Sequence, residues 1–269
     1  MWRFMGVARK SPSLITTRPI LVAMTTHTSE QSHERVLGDP PDGSESFGDR
    51  VLAFYRTLVR PQVSARPVEW IDPYHSPEVR RAMDAFYGTF YSDDRPRLFV
   101  FGINPGRFGA GLTGIPFTDG YALAHSCGIP TSLPQRQELS ATFIHRVIQK
   151  WGGATPFFGG VYITAVCPLG LLSRGVNFNY YDDRAVLSEL EPFLLVCIRR
   201  QIDFGAHRQA AVVVGSGQNF RVLQRLNAEH GFFEELRAVE HPRFIMQYRR
   251  TEVDQYVSRY LRLFEELLR

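Results

Sequence analysis

The chain has 269 residues, 44% hydrophobic and 22% charged, which suffices for one large core or two small ones and lies far from a disordered composition. No apolar run approaches the roughly 18–20 residues of a membrane span, so a soluble protein is expected. The formal net charge of +4 comes from the N-terminus, where Arg3, Arg9, Lys10 and Arg18 precede the first acidic residue, Glu30; the rest is nearly neutral, and any nucleic-acid surface must be a local patch.

Residues 1–30 have the composition of a transit peptide or of an upstream extension of a gene starting at Met24, and the second is the expectation. Residues 38–46 (GDPPDGSES) read as a loop, so 1–46 is taken as a tail and 47–269 as one domain. Helical spacing links Phe47, Val51, Phe54, Tyr55 and Leu58, and again Val79, Met83, Phe86, Tyr87 and Phe90. The run Leu98–Ile103 then reads as a buried strand stopped by Asn104-Pro-Gly106. After a helical stretch at about 138–151, Val161–Val166 and Ala210–Val214 repeat the strand pattern, and Leu236–Glu240 is a weaker fourth. Between and after them lie helix-spaced sets at Leu187–Ile198, Phe220–Leu226 and Val253–Leu268. Strands separated by helices predict an α/β fold, a three-layer α/β/α sandwich with a short central, mainly parallel four-stranded sheet. Ligands of such sheets bind beyond the carboxyl ends of the strands, here 103–117, 166–180, 215–219 and 241–250.

The cysteines Cys127, Cys167 and Cys197 are isolated, which argues against a disulfide framework, a zinc knuckle or an iron–sulfur cluster and for a reducing compartment, the cytoplasm. The histidines lack metal-ligand pairing, so no metal and no cofactor are expected. Gly215-Ser-Gly217 falls short of a dinucleotide fingerprint because Phe220 stands where glycine is needed, and neither a P-loop nor a G-x-S-x-G elbow occurs.

The densest segment is Gly102–Phe117, with five glycines and two prolines in sixteen residues. Glycine admits close approach of a ligand to the backbone and proline holds a turn rigid, so this loop is built for shape. An amide just past a strand, as Asn104 is, can hold a water but cannot effectively take its proton, which suits a reaction whose leaving group departs first. Alone, Asn104 reads equally as a turn residue before proline. His241 begins a second segment, His241–Arg250; an imidazole N–H there can stabilise negative charge on a departing ring oxygen. Phe244, Ile245 and Met246 could wedge into a base stack, with Arg243, Arg249 and Arg250 on phosphates. The bland alternatives are a core-satisfied histidine and an ordinary apolar turn.

Taken together, Gly-Ile-Asn104-Pro-Gly106 with Thr-Gly-Ile-Pro-Phe117, then Cys167-Pro-Leu169, then His241-Pro, resemble the single-strand-selective monofunctional uracil-DNA glycosylase family, over about residues 95–250. The resemblance implies that Asn104 positions the attacking water, that Gly106 leaves room near the pyrimidine beside Ile103, and that Phe117 stacks on the extruded base. It further implies that His241 donates to the uracil O2 and that Arg243 to Gln247 form the wedge. Two departures stand out. The family's base-pairing Asn on the second strand falls on Ala165, which offers no side-chain hydrogen bond. The wedge reads His-Pro-Arg-Phe-Ile-Met-Gln-Tyr in place of the family's usual polar His-Pro-Ser-Pro run, and in this it resembles a bacterial second branch of the family.

The expected activity is hydrolysis of the N-glycosidic bond of uracil, and of related deaminated or oxidised bases, in single- and double-stranded DNA by a monomer, leaving an abasic site. No lysine lies in any motif to form a Schiff base. The rival expectation is a non-catalytic single-stranded nucleic-acid-binding module of the same fold; a nucleoside hydrolase is third, because no Asp cluster supplies its calcium ligands.

Overall fold

A run of apolar residues that must be covered on two faces belongs in the middle of a sheet, and Arg97–Gly102 occupies that place with all six residues buried. The computed structural model describes residues 45–269. In chain order its elements are α1 (Phe47–Arg56), β1 (Glu69–Ile71), α2 (Pro77–Phe90), β2 (Arg97–Gly102), α3 (Ala110–Thr113), α4 (Gly120–His125), α5 (Leu139–Lys150) and α6 (Ala154–Gly160). They continue with β3 (Val161–Ala165), β4 (Gly170–Ser173), β5 (Val176–Phe178), α7 (Arg184–Ile202), β6 (Ala206–Val214), α8 (Gln218–His230), β7 (Glu235–Val239), α9 (Pro242–Tyr248) and α10 (Val253–Leu267). The expectations for residues 1–44, including a start at Met24, lie outside the described residues. Ser46, placed by the sequence at the end of a tail, instead caps α1: its hydroxyl accepts from Asp49 N at 3.1 Å, and the Asp49 carboxylate accepts from Ser46 N at 3.1 Å.

The four expected strands form a parallel sheet in the order β3-β2-β6-β7, flanked by helices. The chain leaves β2 for β3 on one side and returns to β6 on the other, so β2 is the point where the strand order reverses, and the crevice beyond its carboxyl end is where such sheets take ligands. Strand β6 starts at Ala206, earlier than its apolar half suggests, and its register against β2 shifts between Arg97 and Phe99.

A second sheet, β1-β4-β5, is antiparallel and was not expected. Its strands are too short for alternation to register. The turn between β4 and β5 holds Arg174 at φ 52° and Gly175 at φ 72°, the two left-handed positions of a hairpin turn whose usual Asn-Gly marker is here Arg-Gly.

The core gathers on α1. Phe47 is fully buried and its ring meets those of Tyr91 at 5.4 Å, Tyr162 at 5.1 Å and Phe99 and Phe204 at 6.1 Å. Arg97, also fully buried, lays its guanidinium 4.6 Å from the Phe47 ring centroid while Nε donates to Phe158 O at 3.1 Å and Nη1 to Arg95 O at 2.6 Å. Phe47→Ala is therefore expected to cost about 3–5 kcal/mol in chemical denaturation, the range for emptying a well-packed aromatic site; a loss under about 1 kcal/mol would mean that α1 is not a fixed part of the core.

Candidate active site

Three strand ends supply the site. Beyond β2, Asn104 is fixed at both atoms of its amide: Nδ2 donates to Phe178 O at 3.3 Å, and Oδ1 accepts from Tyr180 N at 3.3 Å. Tyr180, fully buried, donates its hydroxyl to Asn219 Oδ1 at 2.8 Å. Asn219 Nδ2 in turn donates to Val214 O at 3.1 Å and Gly102 O at 3.4 Å, the last carbonyls of β6 and β2. The amide of Asn104 is thus connected to the sheet by a closed polar chain, and an amide so held can present its remaining lone pair in one direction.

The loop after β2 folds back through α3, and Phe117 closes it with φ 52°, a left-handed conformation unusual for an aromatic residue. The turn around it is pinned by Thr113 Oγ1, which donates to Thr118 O at 2.6 Å, and by the contact of Thr118 Oγ1 with His145 Nε2 at 3.2 Å. The Phe117 ring lies over Gly102, where an added Cβ would stand 2.8 Å from Cε2. Glycine at the last position of β2 is therefore required for the ring to reach the sheet end.

Beyond β7 comes His241. The sequence placed a wedge here without assigning it secondary structure; it is the helix α9, with His241 as its N-cap and Pro242 at its first position, where the missing N–H costs nothing. His241 Nδ1 accepts from Arg243 N at 3.1 Å. In the neutral ring that assigns the proton to Nε2, which makes Nε2–H a free donor. The imidazole and Phe117 rings are 6.0 Å apart at 47°. On α9 the expected wedge residues divide: Ile245 is fully buried and corrects the expectation that it projects, Met246 is half-buried, and Arg243, Phe244, Gln247, Arg249 and Arg250 are exposed together with Tyr248.

Ala165 and Ile103 flank the same strand ends. Ala165 is buried, with its carbonyl accepting from Gln201 Nε2 at 3.3 Å, and Ile103 O accepts from Cys167 N at 3.1 Å. Cys167-Pro-Leu169 is a buried turn leading into β4, and burial pushes the Cys167 thiol up to about 12, so it offers no thiolate. In the same loop the Phe108 ring is contacted by two guanidinium groups, Arg107 at 4.4 Å and Arg136 at 3.8 Å, neither of which forms an ion pair among the described residues. A cleft between α7 and α8, lined by Leu187, Glu191 and Arg225 among others, shares no residue with this site, and Arg225 and Glu191 form an ion pair in its lining.

Tyr180 and Asn219 escaped the sequence reading. Asn219 did carry a signal: it sits at helical spacing with Leu223 and Leu226, a polar residue on an otherwise apolar buried face. Among the described residues no three His, Cys, Asp or Glu side chains converge to hold a metal, and no helix is long and apolar enough to cross a membrane.

The family model for the uracil DNA glycosylase superfamily matches residues 89–265. Among solved structures, the crystal structure of wild-type SMUG2 from Pedobacter heparinus is similar with a TM-score of 0.79 and 36% sequence identity, covering 82% of this chain and 98% of that one. Comparison with curated proteins found no match.

Burial, reinforced by the charge of Arg243, pushes the His241 ring down to about 4, and burial alone does the same to His145. Both rings are neutral in the folded protein near neutral pH, whereas an unfolded histidine takes a proton near 6.5. The stability that depends on their neutrality is complete above about pH 6.5 and is lost as pH falls towards 4. A ring titration followed by NMR is expected to show His241 neutral down to about pH 4, with a free-energy loss in acid between those limits; a His241 midpoint near 6.5 would contradict the desolvated donor.

Proposed function

The chain belongs to the uracil DNA glycosylase superfamily, and from that premise we propose that residues 47–269 form a monofunctional glycosylase that hydrolyses the bond between uracil and deoxyribose in DNA and leaves an abasic site. The observation that carries this reading is the presence, at the carboxyl ends of one sheet, of a locked amide, Asn104, and of a neutral imidazole donor, His241, whose ring lies 6.0 Å from that of the strained Phe117. Strain of this kind, roughly 1–3 kcal/mol, persists where the surroundings over-determine it, and such positions cluster at working sites.

In this mechanism the uracil swings out of the DNA stack and lies on Phe117. As the C1′–N1 bond breaks, its electron pair passes into the base, and His241 Nε2–H donates to the O2 on which negative charge collects. Asn104 Oδ1 holds a water against the face of the oxocarbenium-like sugar; the water oxygen bonds C1′ and its proton leaves to solvent. Asn104 cannot act as a strong base, and it does not need to, because the leaving group has already gone. The lysine among the described residues, Lys150, lies at the exposed end of α5, so the site holds no amine for a Schiff base and strand nicking. Arg243, Arg249 and Arg250 on one side and Arg107 and Arg136 on the other supply cations for phosphates flanking the extruded nucleotide, in single- and double-stranded DNA. Phe244, Met246 and Gln247 of α9 fill the vacated stack, and the protein works as a monomer.

Ala165 keeps alive the rival reading of a binding module without catalysis. The discriminating experiment is incubation of an end-labelled single-stranded oligonucleotide carrying one uracil with wild type and Asn104→Ala, each followed by alkali. Alkali-dependent breakage by wild type, reduced by roughly a hundredfold or more in the variant, is the expected result. Tight binding without breakage by either protein would replace the glycosylase with the binding module.

A further inference from the structure

A hydrolase that stacks a flipped base must also read its edge, and the side chain of Ala165 has nothing to read it with. Its methyl is buried and its carbonyl is already taken by Gln201 Nε2. Another amide stands beside Gly106. Asn177 lies on β5, one residue before the Phe178 whose carbonyl holds Asn104. Its Oδ1 accepts from Arg107 N at 3.2 Å, which fixes the orientation of the amide and turns Nδ2 towards Gly106. A Cβ built on Gly106 would stand 3.5 Å from that Nδ2 and meet nothing else within 4 Å. The glycine therefore leaves an open face, and one polar group, a donor with no partner among the described residues, looks onto it.

We propose that Asn177 is the residue that reads the base edge, donating from Nδ2 to the exocyclic oxygen at the pyrimidine 4-position. The assignment rests on the glycosylase reading, in which His241 takes the O2 end of the same ring. Uracil carries a carbonyl at position 4 and cytosine an amino group, so a fixed N–H donor there accepts the first and leaves a donor facing a donor with the second. A site built to hydrogen-bond one group rejects its analogue because the buried polar atoms are left unpaired. The side chain is exposed in the free protein and would be covered once a base enters, so its substitution spares the core.

The test separates base reading from chemistry. Two single-stranded oligonucleotides, one carrying 2′-fluoro-2′-deoxyuridine and the other 2′-fluoro-2′-deoxycytidine, resist hydrolysis and differ at position 4 in a matched context. Their affinities are measured by fluorescence anisotropy for wild type, Asn177→Ala and Asn177→Asp, and single-turnover excision of ordinary deoxyuridine is measured alongside. Wild type is expected to prefer the uracil analogue by roughly tenfold or more. Asn177→Ala should abolish most of that preference and slow uracil excision by about ten- to a hundredfold. Asn177→Asp, which replaces the donor by an acceptor of the same size, should shift the preference towards the cytosine analogue. Equal preference in wild type and both variants, or no preference in wild type, would overturn the role of Asn177. If wild type excises uracil while the variants match it, Asn177 is wrong and the glycosylase stands; if the preference depends on Asn177 while nothing is excised, the glycosylase is wrong and the base reader stands.

Discussion

The amide of Asn104 is held at both of its polar atoms by backbone, and the rest of the site is arranged around that restraint. Phe178 O and Tyr180 N fix its rotation; Tyr180 and Asn219 carry the restraint to the terminal carbonyls of β2 and β6. Each hydrogen bond in this chain is modest alone. Linked together they are costlier to break, since removing Tyr180 or Asn219 leaves a buried partner unpaired. The chain also explains the second sheet: β5 brings Phe178 and Tyr180 to the end of β2, and the hairpin is tied down from the other side by Arg107 Nη1, which donates to Gly175 O at 2.6 Å. The small antiparallel sheet is thus the frame of the amide.

The electrostatics of the site follow from burial. His241 has one nitrogen occupied by a backbone N–H and a ring that resists protonation down to about pH 4, so near neutral pH it is a donor that keeps its proton. Asn104 neither gives nor takes a proton at any accessible pH. A site made of two such groups is poorly suited to general acid–base chemistry and well suited to stabilising a departing anion and placing a water for what remains. The positive φ of Phe117 and the missing side chain at Gly102 belong to the same economy, since together they bring an aromatic face to the sheet end beside the imidazole.

The central sheet was legible because β2, β3 and β6 carry long apolar runs between helix-spaced segments, a pattern set by burial on both faces. The site was legible in part because Asn104, Phe117 and His241 occupy strand ends, where the topology of such sheets brings ligands. What escaped was the part built from short or locally ambiguous pieces. Strands β1, β4 and β5 have no room for a period-two pattern, and their turn uses Arg174-Gly175 in place of a stronger marker. The helix α9 was hidden by its own composition, since Phe244-Ile-Met246 suggests a uniformly apolar wedge until the helical turn buries Ile245 and exposes Phe244. Tyr180 and Asn177 make contacts with residues distant in sequence, which no spacing rule reveals, and the helical spacing of Asn219 marks it as a polar residue on a buried face without showing its partners.

The most direct measurement of the central idea, that a fixed amide and a permanently neutral imidazole do the work without a general base, is the single-turnover rate of uracil excision as a function of pH. The account predicts a rate that is flat from about pH 5.5 to 8 and falls only in more acid solution, where protonation of His241 at Nδ1 removes the acceptor for Arg243 N that orients the ring. A rate that climbs through a midpoint near 6.5 would reveal a proton acceptor among the reacting groups and contradict it.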